Sequence, residues 1–273
     1  MIPLPPAFLA RPIAHRALHD RDAGRPENGL SAIRAAIAGG YGIEIDLQPS
    51  SDGVPMVFHD ETLERLTDET GPVAARSAAA LAAIPLRNSD DTIPTLAQVL
   101  EEVAGRVPLL IEVKDQDGAL GPSVGALEQA TAAVLAGYAG PVALMSFNPE
   151  SVAALAVAAP RIPRGLTTCA FDPADWPGVP EGRLDLLRDI TDTLRTGASF
   201  ISHDHRDLAR ARVSDLRGNG LGILCWTVRS TEEETAARRH AHTVTFEGYL
   251  PRGQVARQGG RAALDPPPPR ATS

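Results

Sequence analysis

Two short segments of this sequence carry charged side chains at alternate positions inside otherwise apolar runs: Ile43-Glu44-Ile45-Asp46-Leu47 and Leu110-Ile111-Glu112-Val113-Lys114. In extended backbone, residues i and i+2 share a face about 6–7 Å apart. Glu44 and Asp46 therefore point together, as do Glu112 and Lys114. Three converging carboxylates with open positions suit a hard divalent cation, Mg²⁺ or Ca²⁺, which takes oxygen ligands. The competing reading makes these acids solvated positions on amphipathic strands. Against it, parallel strands are usually covered on both faces, where uncompensated carboxylates are costly. His15, in Ala14-His15-Arg16, and His59, in Val57-Phe58-His59-Asp60, add two groups that titrate near neutral pH. A lone histidine is more often structural than catalytic. A pair beside a metal and the cations Arg16 and Lys114 matches what phosphodiester cleavage requires. One group deprotonates the nucleophile, another protonates the leaving oxygen, and cations hold the phosphoryl charge.

The elements that would position these groups follow from periodicity. Short apolar runs predict strands at 12–15, 42–47, 109–114, 142–146, 164–168, 199–202, 221–227 and 243–247. Segments of helical period fit between most of them, at 30–39, 95–104, 125–136, 149–158, 184–196, 207–217 and 232–240. Eight strand-helix repeats in about 250 residues predict an α/β fold, a single-domain (β/α)₈ TIM barrel over 12–258. The active end of such a barrel lies at the C-terminal ends of its strands, where the charged pairs fall. Residues 1–11 form a lead-in. Residues 51–94 form a small excursion between the second and third strands, rich in Asp, Thr and Pro, and the proline-rich 259–273 reads as a disordered tail.

Composition narrows the partners. The 273 residues carry 26 Lys+Arg against 34 Asp+Glu, a formal net charge of -8, which argues against a nucleic-acid partner. Apolar residues at 43% and charged residues at 22% are globular proportions. Cys169 and Cys225 are too few for a disulfide framework and read as buried thiols. The start lacks a basic segment and is broken by prolines, so no signal peptide is expected, and no run approaches the roughly 18 apolar residues of a membrane span. The expectation is a cytoplasmic protein acting on a small molecule without stable membrane insertion; composition carries no information on oligomeric state. Of the 26 basic residues only Lys114 is a lysine. A chain that uses arginine everywhere else keeps its single ammonium where a compact point charge matters.

The spaced motifs resemble those of the glycerophosphodiester phosphodiesterases. His15-Arg16 with Pro26-Glu27-Asn28, Gly42-Ile43-Glu44-Ile45-Asp46, Ser51-Asp52-Gly53 through His59-Asp60, Leu63-Glu64-Arg65, Ile93-Pro94-Thr95, Glu112-Val113-Lys114, Ser146-Phe147 and Trp226-Thr227-Val228 follow that family's order over roughly 12–250. The resemblance implies a (β/α)₈ barrel enzyme that hydrolyses glycerophosphodiesters to glycerol 3-phosphate and an alcohol with a divalent cation. It implies Glu44, Asp46 and Glu112 as metal ligands, and His15 and His59 as the acid/base pair. Arg16 and Lys114 would contact phosphate, Glu27 would support the site, and Trp226 would line the pocket.

Three positions depart from the family pattern. Ala17 stands where glycine is usual, Gly29 where Thr or Ser would cap the first helix, and the last strand ends Thr245-Phe246-Glu247-Gly248 where a Thr-Asp ending is common. Two other readings compete with the hydrolase. One is a phospholipase D-like lyase releasing a cyclic phosphate; the other is a barrel that binds phosphate ligands without turnover. His203-Asp204-His205 is expected at the surface or pocket rim rather than as a metal site.

Overall fold

The alternating pattern closes into a barrel. The computed structural model describes residues 1–251; the expected tail and the last residues of the predicted domain lie outside the described residues. The strands are β1 (Ile13–Ala14), β2 (Gly42–Pro49), β3 (Pro55–Val57), β4 (Leu109–Val113), β5 (Val142–Ser146), β6 (Arg164–Thr168), β7 (Phe200–Asp204), β8 (Gly222–Val228) and β9 (Thr243–Phe246). All but β3 pair in parallel in the order β1-β2-β4-β5-β6-β7-β8-β9, and β1 pairs with β9 to close the ring. This is a (β/α)₈ barrel. The extra strand β3 turns back antiparallel on the end of β2, matching Leu47 to Val57 and Pro49 to Pro55. Gly53, at φ +79°, makes that reversal, which a side chain would strain.

The helices are α1 (Ala7–Ala10), α2 (Leu30–Gly39), α3 (Ala78–Leu81), α4 (Leu96–Val103), α5 (Ala126–Leu135), α6 (Pro149–Ala158), α7 (Glu181–Arg188), α8 (Thr193–Thr196), α9 (Ala211–Gly218) and α10 (Thr231–Ala237). The single helix expected over 184–196 is two, because Ile190 takes a left-handed φ of +49° between α7 and α8, which ends a right-handed helix. Local chemistry starts some of the others: Thr95 and Gln98 form a reciprocal capping box on α4, and Asn148 caps α6 ahead of Pro149.

Outward strand residues and the inner helix faces make the main core. Inside the barrel, Ile13, Leu110, Ala143, Phe200 and Leu224 pack with Phe8 of α1 and with Leu4. The lead-in thus plugs the N-terminal end of the barrel, leaving the other end for chemistry. The excursion has a small core of its own, including Met56, Phe58, Leu63, Val73, Leu81 and Ile93. Cys169 and Cys225 are buried and unpaired; burial pushes their thiols up to about 11 and about 12.

Candidate active site

Parallel register brings Asp46 of β2 beside Glu112 of β4, and alternation puts Glu44 on the same inner face. All three are at most 5% exposed, and ligand atoms of the three lie within 4.8 Å of one another. Lys114 reaches back over them, its Nζ 2.7 Å from Asp46 Oδ1 and 2.5 Å from Glu112 Oε1. Burial opposes the charge on Asp46, but Lys114, His59 and Arg16 outweigh it and hold that carboxyl well below its usual range. Glu44 goes the other way: burial, then Asp46 and Glu112, push it well above the usual carboxylate range. One ammonium therefore does not compensate three desolvated carboxylates. An all-oxygen donor set with surplus negative charge fits a hard divalent cation.

The histidines stand at the same end, each tied at Nδ1 to a carboxylate. His15 Nδ1 is 2.6 Å from Glu247 Oε2, contributed from 232 residues away, and His59 Nδ1 is 2.7 Å from Asp60 Oδ1. A carboxylate on one ring nitrogen selects the tautomer and leaves Nε2 for other work. Burial lowers the His15 pKa below 6.5, against the hydrogen bond His15 makes to Glu247, which raises it. The same bond, with help from His19 and Arg229, holds Glu247 well below its usual range.

A charged chain joins the two sides. Arg16 Nη1 donates to Glu27 Oε1 at 2.8 Å, Arg65 clamps Glu27 with two bonds of 2.7 and 2.8 Å, and Arg65 Nε donates to Asp60 Oδ2 at 2.5 Å. Asn28 Nδ2 donates to Asp46 Oδ2 at 2.9 Å. Composition and periodicity carried no sign of Arg65, Asn28 or Glu247 as site neighbours. Arg65, Asn28 and Asp60 were legible only as members of spaced motifs.

Eight of the nine residues proposed from sequence, His15, Arg16, Glu44, Asp46, His59, Glu112, Lys114 and Trp226, line one cavity of about 170 Å³. Glu27 does not line it and stands behind Arg16. A larger cavity of about 310 Å³ lies beyond Glu27 and Arg65; it has arginines but neither the carboxylate cluster nor the histidine pair, so the chemistry belongs to the smaller one. His203 is not at the rim. It is fully buried on the outer face of β7, where Nδ1 is 2.8 Å from the Thr168 hydroxyl on neighbouring β6.

The departures from the family pattern also have physical answers. Ala17 is buried at φ +65°, so the glycine-like backbone is kept at a steric cost. Gly29 gives α2 no side-chain cap, but Asp91 of the excursion accepts from Ser31 N at 2.8 Å and Ser31 Oγ at 2.6 Å. A Cβ at Gly29 would meet Asp91 Oδ2 at 2.6 Å, so the cap has moved from the chain's own helix end to the excursion.

Comparison with known proteins gives these features a context. A sequence profile described as the Glycerophosphoryl diester phosphodiesterase family matches residues 15–245. Human glycerophosphodiester phosphodiesterase 1 is 42% identical over 100 residues, 33% of this chain and 29% of that one. This chain thus spans under a third of the length of the mammalian relatives it matches. A candidate glycerophosphodiester phosphodiesterase of Bacillus subtilis is 27% identical over 84% of this chain and 89% of its own. Among solved structures, an Oleispira antarctica phosphodiesterase in complex with its product sn-glycerol-3-phosphate superposes with a TM-score of 0.69 and 25% identity, covering 88% of this chain and 94% of that one. With a match over 15–245, the chain belongs to the glycerophosphoryl diester phosphodiesterase family.

Proposed function

We propose that this protein hydrolyses glycerophosphodiesters to glycerol 3-phosphate and an alcohol, in a reaction that depends on Mg²⁺ or Ca²⁺. The observation that carries the reading is the shared cavity: two carboxylate-anchored imidazoles beside three clustered carboxylates and the single lysine. The Oleispira antarctica protein with bound glycerol phosphate supports the substrate class. Among the described residues no helix is long and apolar enough to cross a membrane.

Glu44, Asp46 and Glu112 would hold the cation, which when bound neutralises their charge and makes a nearby hydroxyl more acidic. His15, kept neutral by burial, takes a proton at Nε2 from the 2-hydroxyl of the glycerol as its oxygen attacks phosphorus. His59, anchored by Asp60, gives a proton from Nε2 to the departing alcohol oxygen. The resulting cyclic phosphate is opened by water with the two roles exchanged. Arg16 and Lys114 carry the charge that grows on the phosphoryl oxygens. Trp226, whose indole N–H is fixed on the Ser202 carbonyl at 2.9 Å, walls the cavity with its ring.

The test is phosphorus NMR of glycerophosphocholine incubated with the protein and each metal in turn. Glycerol 3-phosphate formed with metal, and lost on chelation, is expected. Full activity after exhaustive chelation removes the metal from the reading; a cyclic phosphate that accumulates without opening makes the protein a lyase instead.

A further inference from the structure

Beside the catalytic cavity stands a second set of metal-ligating groups, chemically unlike the three carboxylates. His15, His19 and Glu247 have ligand atoms within 4.8 Å of one another. Arg16 and Ala17, left-handed at φ +48° and +65°, turn the chain after β1. His19 thereby returns to Glu247 Oε2, the oxygen that holds His15. His19 Nε2 is buried but makes no hydrogen bond among the described residues, and a buried ring nitrogen without a partner points to a ligand. His19 also lines the cavity of about 310 Å³, so an ion can reach it without crossing the substrate's cavity.

The spacing suits one metal ion. Two ligand atoms about 2.0–2.1 Å from a tetrahedral zinc ion lie about 3.4 Å apart. His19 Nε2 and Glu247 Oε2, at 3.5 Å, already have that separation. His15 Nδ1, 2.6 Å from the same oxygen, has to open by about 0.8 Å. Arg229 occupies Glu247 Oε1 at 2.7 Å, which fixes the carboxylate and leaves Oε2 for the ion. The donor types choose the element. Two imidazoles and a carboxylate suit Zn²⁺ and neighbouring transition cations, whereas the all-oxygen cluster of Glu44, Asp46 and Glu112 suits Mg²⁺ or Ca²⁺.

We propose that His15, His19 and Glu247 form an inhibitory site for Zn²⁺ or a similar transition cation, which arrests the enzyme by capturing its base. The arrest rests on the proposed function, in which His15 takes a proton at Nε2. In the working tautomer Nδ1 carries the ring's proton towards Glu247 and Nε2 has the lone pair. Coordination needs the lone pair at Nδ1, so that proton moves to Nε2 and His15 can no longer accept one there. Arg16, close enough to act on the His15 charge, and Arg229 oppose a dication. The affinity is therefore below that of a closed four-ligand site, and the capture is reversible.

The experiment titrates glycerophosphocholine hydrolysis with Zn²⁺ at a saturating level of the activating metal, in the wild type, His19→Ala and His19→Gln. Each is read against its own uninhibited rate, because His19 also faces Glu247. Partners behind a metal ligand are worth about 10–100-fold in affinity, so loss of a ligand should raise the Zn²⁺ inhibition constant at least that far. More Mg²⁺ or Ca²⁺ should not relieve the wild type. A second arm needs no turnover: Co²⁺ added to the Mg²⁺-saturated wild type should give the intense visible absorption of four-coordinate cobalt, discharged by Zn²⁺ and missing in His19→Ala. The wild-type outcomes stand whether or not a variant folds. Absence of diester hydrolysis would sink the proposed activity, while the cobalt arm would still decide the site. No inhibition of the wild type, equal inhibition constants in the variants, full relief by the activating metal, or a cobalt spectrum indifferent to His19 overturns the inference.

Discussion

The His15 and His59 sides of the cavity reach the same local arrangement, an imidazole with Nδ1 on a carboxylate, by opposite routes. His59 and Asp60 are neighbours in sequence, and the His59 side chain is 30% exposed. His15 has 14% exposure, a left-handed Arg16-Ala17 turn behind it, and a partner from the far end of the chain that also pairs with Arg229 at 2.7 Å. The difference teaches that a partly exposed imidazole can be anchored by its sequence neighbour, whereas the buried one gets its carboxylate only through barrel closure. Only where β9 meets β1 can Glu247 approach His15.

The largest effect tests whether both sides act. Replacing either histidine with alanine should lower kcat/KM for glycerophosphocholine by about 10²–10⁴-fold, and near-normal turnover in one variant would reduce the comparison to a single working histidine. Next comes the group between them. Lys114→Arg should cost roughly 10²-fold in kcat with circular dichroism unchanged, because a planar fork cannot replace a point charge held 2.7 Å from Asp46 and 2.5 Å from Glu112. Full activity would make the lone lysine a compositional accident.

The orienting carboxylates separate the two sides more finely. Glu247→Gln and Asp60→Asn should each cost about 10–100-fold, with Glu247→Gln the greater because it anchors His15 across the closure. Their pH profiles should differ in sign-determined fashion. A base works in its neutral form, and burial holds the His15 pKa below 6.5, so the acid limb of kcat/KM lies below pH 6.5. Glu247 raises that pKa; removing it should move the limb to still lower pH while the plateau falls. A limb that moves upward would show that burial does not govern His15. The smallest effect concerns strain on the His15 side alone. Ala17→Gly should raise stability by roughly 0.5–1 kcal/mol, relief at φ +65° outweighing the entropy of glycine; a fall in the urea midpoint would mean that the turn is not strained.

Much of this was legible without coordinates. Strand periodicity located the eight barrel strands to within a few residues, since covered parallel strands must be apolar wherever they are not functional. The break at Ile190 was not, because a single left-handed residue leaves no mark on apolar spacing. The hairpin β3 was hidden because three residues are too few for a period. His203 was misplaced because alternation gives the face of a strand but not what covers it.

Residue types and local spacing determined that Glu44 pairs with Asp46 and Glu112 with Lys114, that the acids suit a hard cation, and that His59 has Asp60 beside it. These follow from strand geometry and need only a few residues of chain. Tertiary structure alone decided that Glu247 orients His15, that Arg65 links Glu27 to Asp60 and that Asp91 caps α2. All but the Arg65–Asp60 bond join residues far apart in sequence, placed by the closed barrel and its register, and a two-residue period has no memory over such distances.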